Sequence, residues 1–257
     1  MLPLKDYNPT SSRAVVTFIL ILLNVGVFLT EPVLSSGRSE VEQARSQASY
    51  FACKGAIPYE VTHGERVADA LQRGVRFDKQ VDNLFAVLEA RNCPRKNVWF
   101  SIFMSMFLHG SIAHLGFNML FLWVFGNNVE DRLGRLRYVM FYVLAGIAAA
   151  YAQSFVFPDS ATPLVGASGA IAGILGAYLL MFPRAPILTL VVFFLVPIPA
   201  FVMIGVWFLT QLFSSVGSVS GDTGVAYMAH VGGFLAGMLL LLVFRPRPQR
   251  PAVPLPY

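Results

Sequence analysis

Five polar residues lead those inside stretches that are otherwise almost wholly apolar: His109, His114, Asn118, Ser168 and His230. Together they contain the parts of an acyl-transfer site. A serine hydroxyl becomes a nucleophile when a histidine takes its proton, and the same histidine can later protonate a leaving amine. Ser168 stands in Gly166-Ala167-Ser168-Gly169, read as a loop-to-helix junction. The first N–H groups of a helix have no helical carbonyl to bind, so they can hold an oxyanion, and the helix dipole adds to them. His114 and Asn118 are four residues apart and share a helix face. Segments 111–125, 168–182 and 225–244 contain no Asp or Glu. A Ser168–His230 dyad is therefore the version these segments permit, without an acidic third member. Each residue taken alone has a plainer reading. Ser168 could be a helix N-cap, His230 an interhelical hydrogen-bonder, His109 a loop former and His63 a surface residue.

These residues need elements to position them. Of 257 residues only 33 are charged, and 56% are hydrophobic. Soluble domains carry about 25% charge; here it is 13%, with a mean hydropathy of +0.62. Disorder is excluded, because a disordered chain lacks the apolar surface to collapse. Six stretches have no Asp, Glu, Lys or Arg: 14–30, 97–129, 138–158, 160–183, 185–221 and 223–244. A membrane span needs roughly 20 apolar residues. The windows predict an all-α bundle of six membrane helices, near Ala14–Leu29, Ser111–Phe125, Tyr138–Phe157, Ser168–Phe182, Ile187–Phe213 and Val225–Phe244. Trp99–Leu108 leads into the second at the interface.

Charge predicts direction. With a cytoplasmic N-terminus, segments 1–13, 126–137, 183–186 and 245–257 are cytoplasmic, and they carry Lys5, Arg13, Arg132, Arg135, Arg137, Arg184, Arg245, Arg247 and Arg250. The short outer loops 158–167 and 214–224 carry no Lys or Arg, which follows the positive-inside rule. The basic balance thus reports topology, with no reason to invoke nucleic acid. Spans two, four and six all run inward. At 1.5 Å per residue, His114, Asn118, Ser168 and His230 then lie at a common depth near the outer face. Gly169, Gly173 and Gly176 follow Ser168, and Gly233 and Gly237 follow His230, so each helix has a small-residue face that allows close approach.

Segment 30–98 is the outer first loop. Glu65–Ala90 has roughly helical apolar spacing and predicts an amphipathic helix on the membrane or over the bundle. The chain's two cysteines, Cys53 and Cys93, both fall in this loop. A disulfide is chemically allowed there; two free thiols are the alternative. The tail 245–257 has five prolines and reads as an extended cytoplasmic end.

Four segments carry a family resemblance: His109-Gly-Ser-Ile-Ala-His114-Leu-Gly-Phe-Asn118, Gly126-Asn-Asn-Val-Glu130-Asp131-Arg132-Leu-Gly134, Gly166-Ala-Ser168-Gly169 and Ala229-His230-Val-Gly-Gly233-Phe-Leu-Ala-Gly237. In order and spacing they resemble the rhomboid intramembrane serine proteases over nearly the whole membrane part. The resemblance implies one rhomboid-like membrane domain over 1–257 with a six-helix core, the first helix near 14–29 and the other five in the catalytic segment 99–244. It implies Ser168 as nucleophile and His230 as base, with His114, Asn118 and the Ser168 N–H at the oxyanion. It implies Gly166, Gly169, Gly233 and Gly237 as motif glycines, and Glu130 and Arg132 as ties between loop and helix ends. The substrates implied are membrane-anchored proteins cut within or next to their spans, with no metal and no cofactor, and with lateral access between spans two and five. The expected location is a bacterial cytoplasmic membrane, both termini inside and the site opening outward. Two departures stand out. An aromatic that some members place four residues after the nucleophile is Ala172 here, and a tryptophan-arginine pair in the first loop is Trp99–Phe100. No seventh span and no sizeable soluble domain is expected. The rival reading is a non-proteolytic rhomboid-like protein that binds membrane clients.

Overall fold

The computed structural model describes residues 1–33, 39–77, 80–220 and 225–248. Each uncharged window contributes one long helix: α1 (Val15–Thr30), α7 (Ile112–Leu133), α8 (Arg135–Val156), α9 (Ser168–Met181), α10 (Ala200–Ser220) and α11 (Tyr227–Phe244). Among the described residues, α8 and α11 are long and apolar enough to cross a membrane by themselves, and α1, α9 and residues 200–215 are shorter apolar helices.

Helix α9 lies at the centre, packed against α7, α8, α10 and α11. Every residue from Gly169 to Tyr178 is buried, as expected of a helix that is apolar all round. Its small residues let neighbours come close. A Cβ on Gly169 would sit 2.6 Å from the Ala149 Cβ of α8, and one on Gly173 would sit 3.1 Å from the Gly233 carbonyl oxygen of α11. The core continues through Leu122, Phe125, Phe141, Tyr142, Ile174 and Phe234.

The fifth expected span, Ile187–Phe213, requires correction. Residues 186–199 form an antiparallel hairpin, β2 (Pro186–Val191) and β3 (Phe194–Pro199), and the helix begins only at Ala200. The residue types explain this. Pro197 and Pro199 lack the N–H a helix interior uses and would cost about 3 kcal/mol each there. Ile187, Thr189, Val191, Val196 and Ile198 are β-branched and suit strands. The N-terminal strand β1 (Leu2–Asp6) adds to β2, so the sheet order is β1-β2-β3. Segment 1–13 thus contains ordered structure as well. The second expected helix, Ser111–Phe125, extends to Leu133 with Ser111 as its N-cap, its hydroxyl accepting the His114 N–H at 3.1 Å.

The first loop also departs from expectation. The single amphipathic helix over Glu65–Ala90 is two helices, α4 (Val67–Gln72) and α5 (Gln80–Asn92). They are broken at Gly74, which adopts φ +89°, a conformation glycine takes without a Cβ penalty. With α2 (Glu40–Lys54), α3 (Pro58–His63) and the short α6 (Val98–Ser105), these helices make a larger folded piece than the sequence suggests. It has an apolar cluster of Ile57, Tyr59, Val67, Ala70, Phe77 and Ala86, which Ala161 joins from the segment between α8 and α9. Lys96 is paired inside it with Glu60 at 2.6 Å. Burial pushes the Glu60 carboxyl up and the Lys96 ammonium down, while each partner's charge opposes the shift. Cys53 and Cys93 are joined as a disulfide between α2 and the end of α5. Gln47 of α2 donates to the Gly110 carbonyl at 2.8 Å, which ties this piece to the loop before α7.

Glu130, near the end of α7, caps the start of α1. Its two oxygens accept the Val16 N–H (2.9 Å), the Thr17 N–H (2.7 Å) and the Thr17 hydroxyl (2.8 Å). No side chain of α1's own N-cap does so. Arg132 donates from Nε to the Arg247 carbonyl at 2.6 Å and lies over the Phe182 ring. The expected extended tail lies outside the described residues beyond 248.

Candidate active site

Ser168 is the first residue of α9, and Ala167 precedes it as the N-cap without a side-chain capping bond. Ser168 is therefore not spent as a cap. Its Oγ lies 2.7 Å from His230 Nε2, within the reach required of a nucleophile and its base. The helices supply that contact. A Cβ on Gly233 would lie 3.0 Å from the Gly169 carbonyl carbon and closer still to its oxygen, so α9 and α11 touch backbone to backbone one turn below the pair. The Ala229 N–H, bonded to the Ala226 carbonyl at 3.0 Å, is shared with the Gln153 side chain of α8 at 3.2 Å, which ties α8 to the start of α11.

A second side of the site is built from α7 and the 164–167 segment. The first intrahelical N–H of α9 is that of Ile171, bonded to the Ala167 carbonyl at 3.0 Å. The N–H groups of Ser168, Gly169 and Ala170 precede it and have no helical carbonyl to bind. His114 Nδ1 accepts the Gly110 N–H at 3.4 Å, which leaves its proton on Nε2. That nitrogen faces the Gly166–Ser168 turn: a Cβ on Gly166 would stand 3.0 Å from His114 Nε2 and 3.4 Å from Ser168 Oγ. Gly166 has φ +132°, so position 166 demands glycine for both space and backbone. Asn118 is buried and uses one amide N–H on the His114 carbonyl at 3.0 Å; among the described residues it has no direct hydrogen bond to Ser168. His109 is fully buried behind this side, its ring 5.1 Å from that of His114 and its N–H bonded to Glu31 at 3.0 Å. Burial pushes the Glu31 carboxyl up to about 7. His63 lies far off in the first-loop piece, stacked on Tyr59.

A small cavity of about 30 Å³ opens beside Ser168, lined by Ser105, Gly166, Ala226 and Ala229 among others. That volume holds one or two waters. Hydrolysis of an acyl intermediate would need one.

Two neighbours of His230 escape the sequence reading. His230 Nδ1 lies 2.7 Å from Gln211 Oε1, and the Trp207 ring is 6.1 Å from the imidazole at 37°. Both belong to α10. Ala172, where an aromatic was the alternative, is fully buried, and the aromatic neighbours of the His230 ring are Trp207 and, at 6.3 Å, Tyr227. The available signal was Gln211 itself, the one amide side chain in the uncharged window 185–221.

A serine in contact with a histidine between two apolar helices, with unpaired helix N–H groups and a second histidine beside it, is an arrangement that a serine hydrolase could use. Comparison with known proteins agrees. Residues 96–247, more than half of the chain, match the Rhomboid domain. Rhomboid protein 1, mitochondrial, of Saccharomyces cerevisiae is 35% identical over 147 residues, 54% of this chain and 40% of that protein. Rhomboid protease GluP of Bacillus subtilis is 48% identical over 81 residues, 32% of this chain and 15% of that one. Rhomboid protease GlpG of Serratia proteamaculans is 30% identical over 134 residues, 52% of this chain and 44% of that one. The chain spans less than half the length of each. It belongs to the rhomboid family and is an integral membrane protein.

Proposed function

We propose that the chain is an intramembrane serine endopeptidase that cleaves membrane-anchored proteins within or next to their spans. The observation that carries this reading is the 2.7 Å contact between Ser168 Oγ and His230 Nε2. Ser168 attacks the peptide carbonyl as His230 Nε2 takes its proton. The oxyanion is held by the Ser168 N–H, by His114 Nε2–H and by the second amide N–H of Asn118. His230 returns the proton to the leaving amine, and an acyl-enzyme remains. A water from the Ser168 cavity then attacks, with His230 again the base. The residues present supply every proton transfer in this scheme.

The same reading covers topology. Helices α1, α7, α8, α9, α10 and α11 are six spans, with 1–13, 126–137, 183–199 and the segment after 244 inside, and 30–98 outside. The positive-inside count of the loops supports it, as do the exposed apolar side chains along α1 and α10, such as Phe18, Leu22, Phe201, Leu209 and Phe213. In this arrangement the β1-β2-β3 sheet is cytoplasmic and the Cys53–Cys93 piece is external.

The test is labelling of the detergent-solubilised protein by a fluorophosphonate probe. We expect one adduct per chain, on Ser168, absent from Ser168→Ala. A folded parent that takes no label would sink the enzyme and favour a client-binding role. Asn118→Ala is expected to slow cleavage of a single-span substrate by no more than about 10²–10³, because one oxyanion donor is worth that much and two others remain. Initial-rate measurements in liposomes read it; a loss as complete as that of Ser168→Ala would contradict a shared hole.

A further inference from the structure

We propose that Gln211 is a positioning residue that holds His230 in the tautomer and orientation its role as base requires. The inference rests on the protease reading above. To take the Ser168 proton, His230 Nε2 must be unprotonated, so the imidazole proton must sit on Nδ1. The half-buried His230 ring takes the tautomer set by the acceptor that its Nδ1–H meets. In a triad an acid supplies it, and no acid lies in α9 or α11. Here Nδ1 lies 2.7 Å from Gln211 Oε1, a neutral amide in the place of the acid.

An amide can also turn over and present its NH₂ group, which would favour the wrong tautomer. A neighbouring hydrogen bond favours the orientation the base needs. Gln211 Nε2 donates to the Thr210 hydroxyl oxygen at 3.3 Å, and that hydroxyl donates onward to the Trp207 carbonyl at 2.6 Å. The oxygen end of the amide is thus left for His230. Four hydrogen bonds then run in one sense: Ser168 Oγ–H to His230 Nε2, His230 Nδ1–H to Gln211 Oε1, Gln211 Nε2–H to Thr210 Oγ1, and Thr210 Oγ1–H to Trp207 O. Each bond polarises the next in the same direction. Nucleophile, base and orienting group come from three different helices, α9, α11 and α10. Trp207, one turn before Gln211 on α10, limits the imidazole's swing from the side.

The test compares two variants of similar size. Gln211→Met fills the space without an acceptor, and Gln211→Glu keeps one. The readout is the second-order rate of fluorophosphonate labelling of the full chain in detergent, which reports the Ser168–His230 pair without substrate docking. We expect Gln211→Met to label about 10²-fold more slowly than the parent, since mispositioning a catalytic group by about 1 Å costs that much. We expect Gln211→Glu to label at least about tenfold faster than Gln211→Met, because its carboxylate restores the acceptor that orients the imidazole. Thermal midpoints near the parent's confirm folding. Gln211→Met labelling at the parent's rate, or Gln211→Glu no faster than Gln211→Met, overturns the positioning role and leaves the protease reading standing. An unlabelled parent overturns both. A second measurement needs no variant at position 211. The chain has only four histidines, so ¹⁵N-histidine NMR, with His230→Ala to assign the signal, reads the tautomer directly. Nδ1-protonated, Nε2-bare imidazole is expected at His230; the opposite tautomer overturns the proposal.

Discussion

Ser168→Ala is expected to abolish cleavage of a membrane-anchored substrate while the protein folds as the parent does. The two halves of that expectation have separate causes. The fold loses little because the Ser168 hydroxyl caps nothing: Ala167 is the N-cap of α9, and the hydroxyl's hydrogen bond is to His230. Alanine is also an excellent helix residue. The chemistry loses nearly everything, because no atom remains to form the acyl-enzyme. Removing the serine or histidine of a coupled hydrolytic pair costs about 10⁴–10⁶ in rate, and what survives comes from the oxyanion donors and binding alone. Purified parent and variant, reconstituted with a single-span substrate, should differ by at least about 10⁴ in initial rate at matching thermal midpoints. Equal turnover would remove Ser168 from the mechanism.

The positions of Ser168 and His230 were legible because they depend on counting. Uncharged windows mark helices, alternation sets their relative direction, and two helices that run the same way place their N-terminal residues at one level. The glycine spacing after each residue then predicts close packing. Gln211 was not legible by that route, for a reason that lies some twenty residues earlier. The window 185–221 carries no charge, so hydropathy alone makes it one span from Ile187. A span starting there puts Gln211 near its far end and leaves its helical phase unset. The hairpin over 186–199 moves the start of this helix thirteen residues later, to Ala200, and its causes are Pro197, Pro199 and β-branched residues, with the β2 strand also paired to Leu2–Asp6. That pairing joins residues more than 180 positions apart, and no short-range pattern announces it. The break of the first-loop helix at Gly74 has a signal in the sequence, a glycine inside a helical pattern. The folding of α3–α5 around a shared apolar cluster has none beyond mixed composition.

Gly233→Ala tests the other half of the site, the packing that holds base to nucleophile. Position 233 lies one turn after His230, and its missing Cβ is where the Gly169 backbone passes. A methyl there would stand 3.0 Å from the Gly169 carbonyl carbon, 3.2 Å from the Ala149 Cβ, and nearer still to the Gly169 carbonyl oxygen. Nothing at that spot is the far end of a flexible side chain. Backbone of α9 and a methyl carbon of α8 are the obstacles, so the helices themselves must separate. Packed interiors do not absorb such a volume locally. A separation of about 1 Å carries His230 Nε2 out of hydrogen-bond reach of Ser168 Oγ, and misplacement on that scale costs about 10²-fold or more in rate. The substitution touches neither catalytic side chain, and alanine is the better helix former by about 1 kcal/mol, so any loss comes from crowding. We expect Gly233→Ala to lower cleavage and fluorophosphonate labelling together by about 10²-fold and to lower the thermal midpoint by several degrees, since overpacking costs about 1–3 kcal/mol. Gly26→Ala on α1 is the matched control: a Cβ there meets nothing within 4 Å, and it should leave both readings unchanged. Full activity in Gly233→Ala would mean that the α9–α11 contact does not set the distance between serine and histidine.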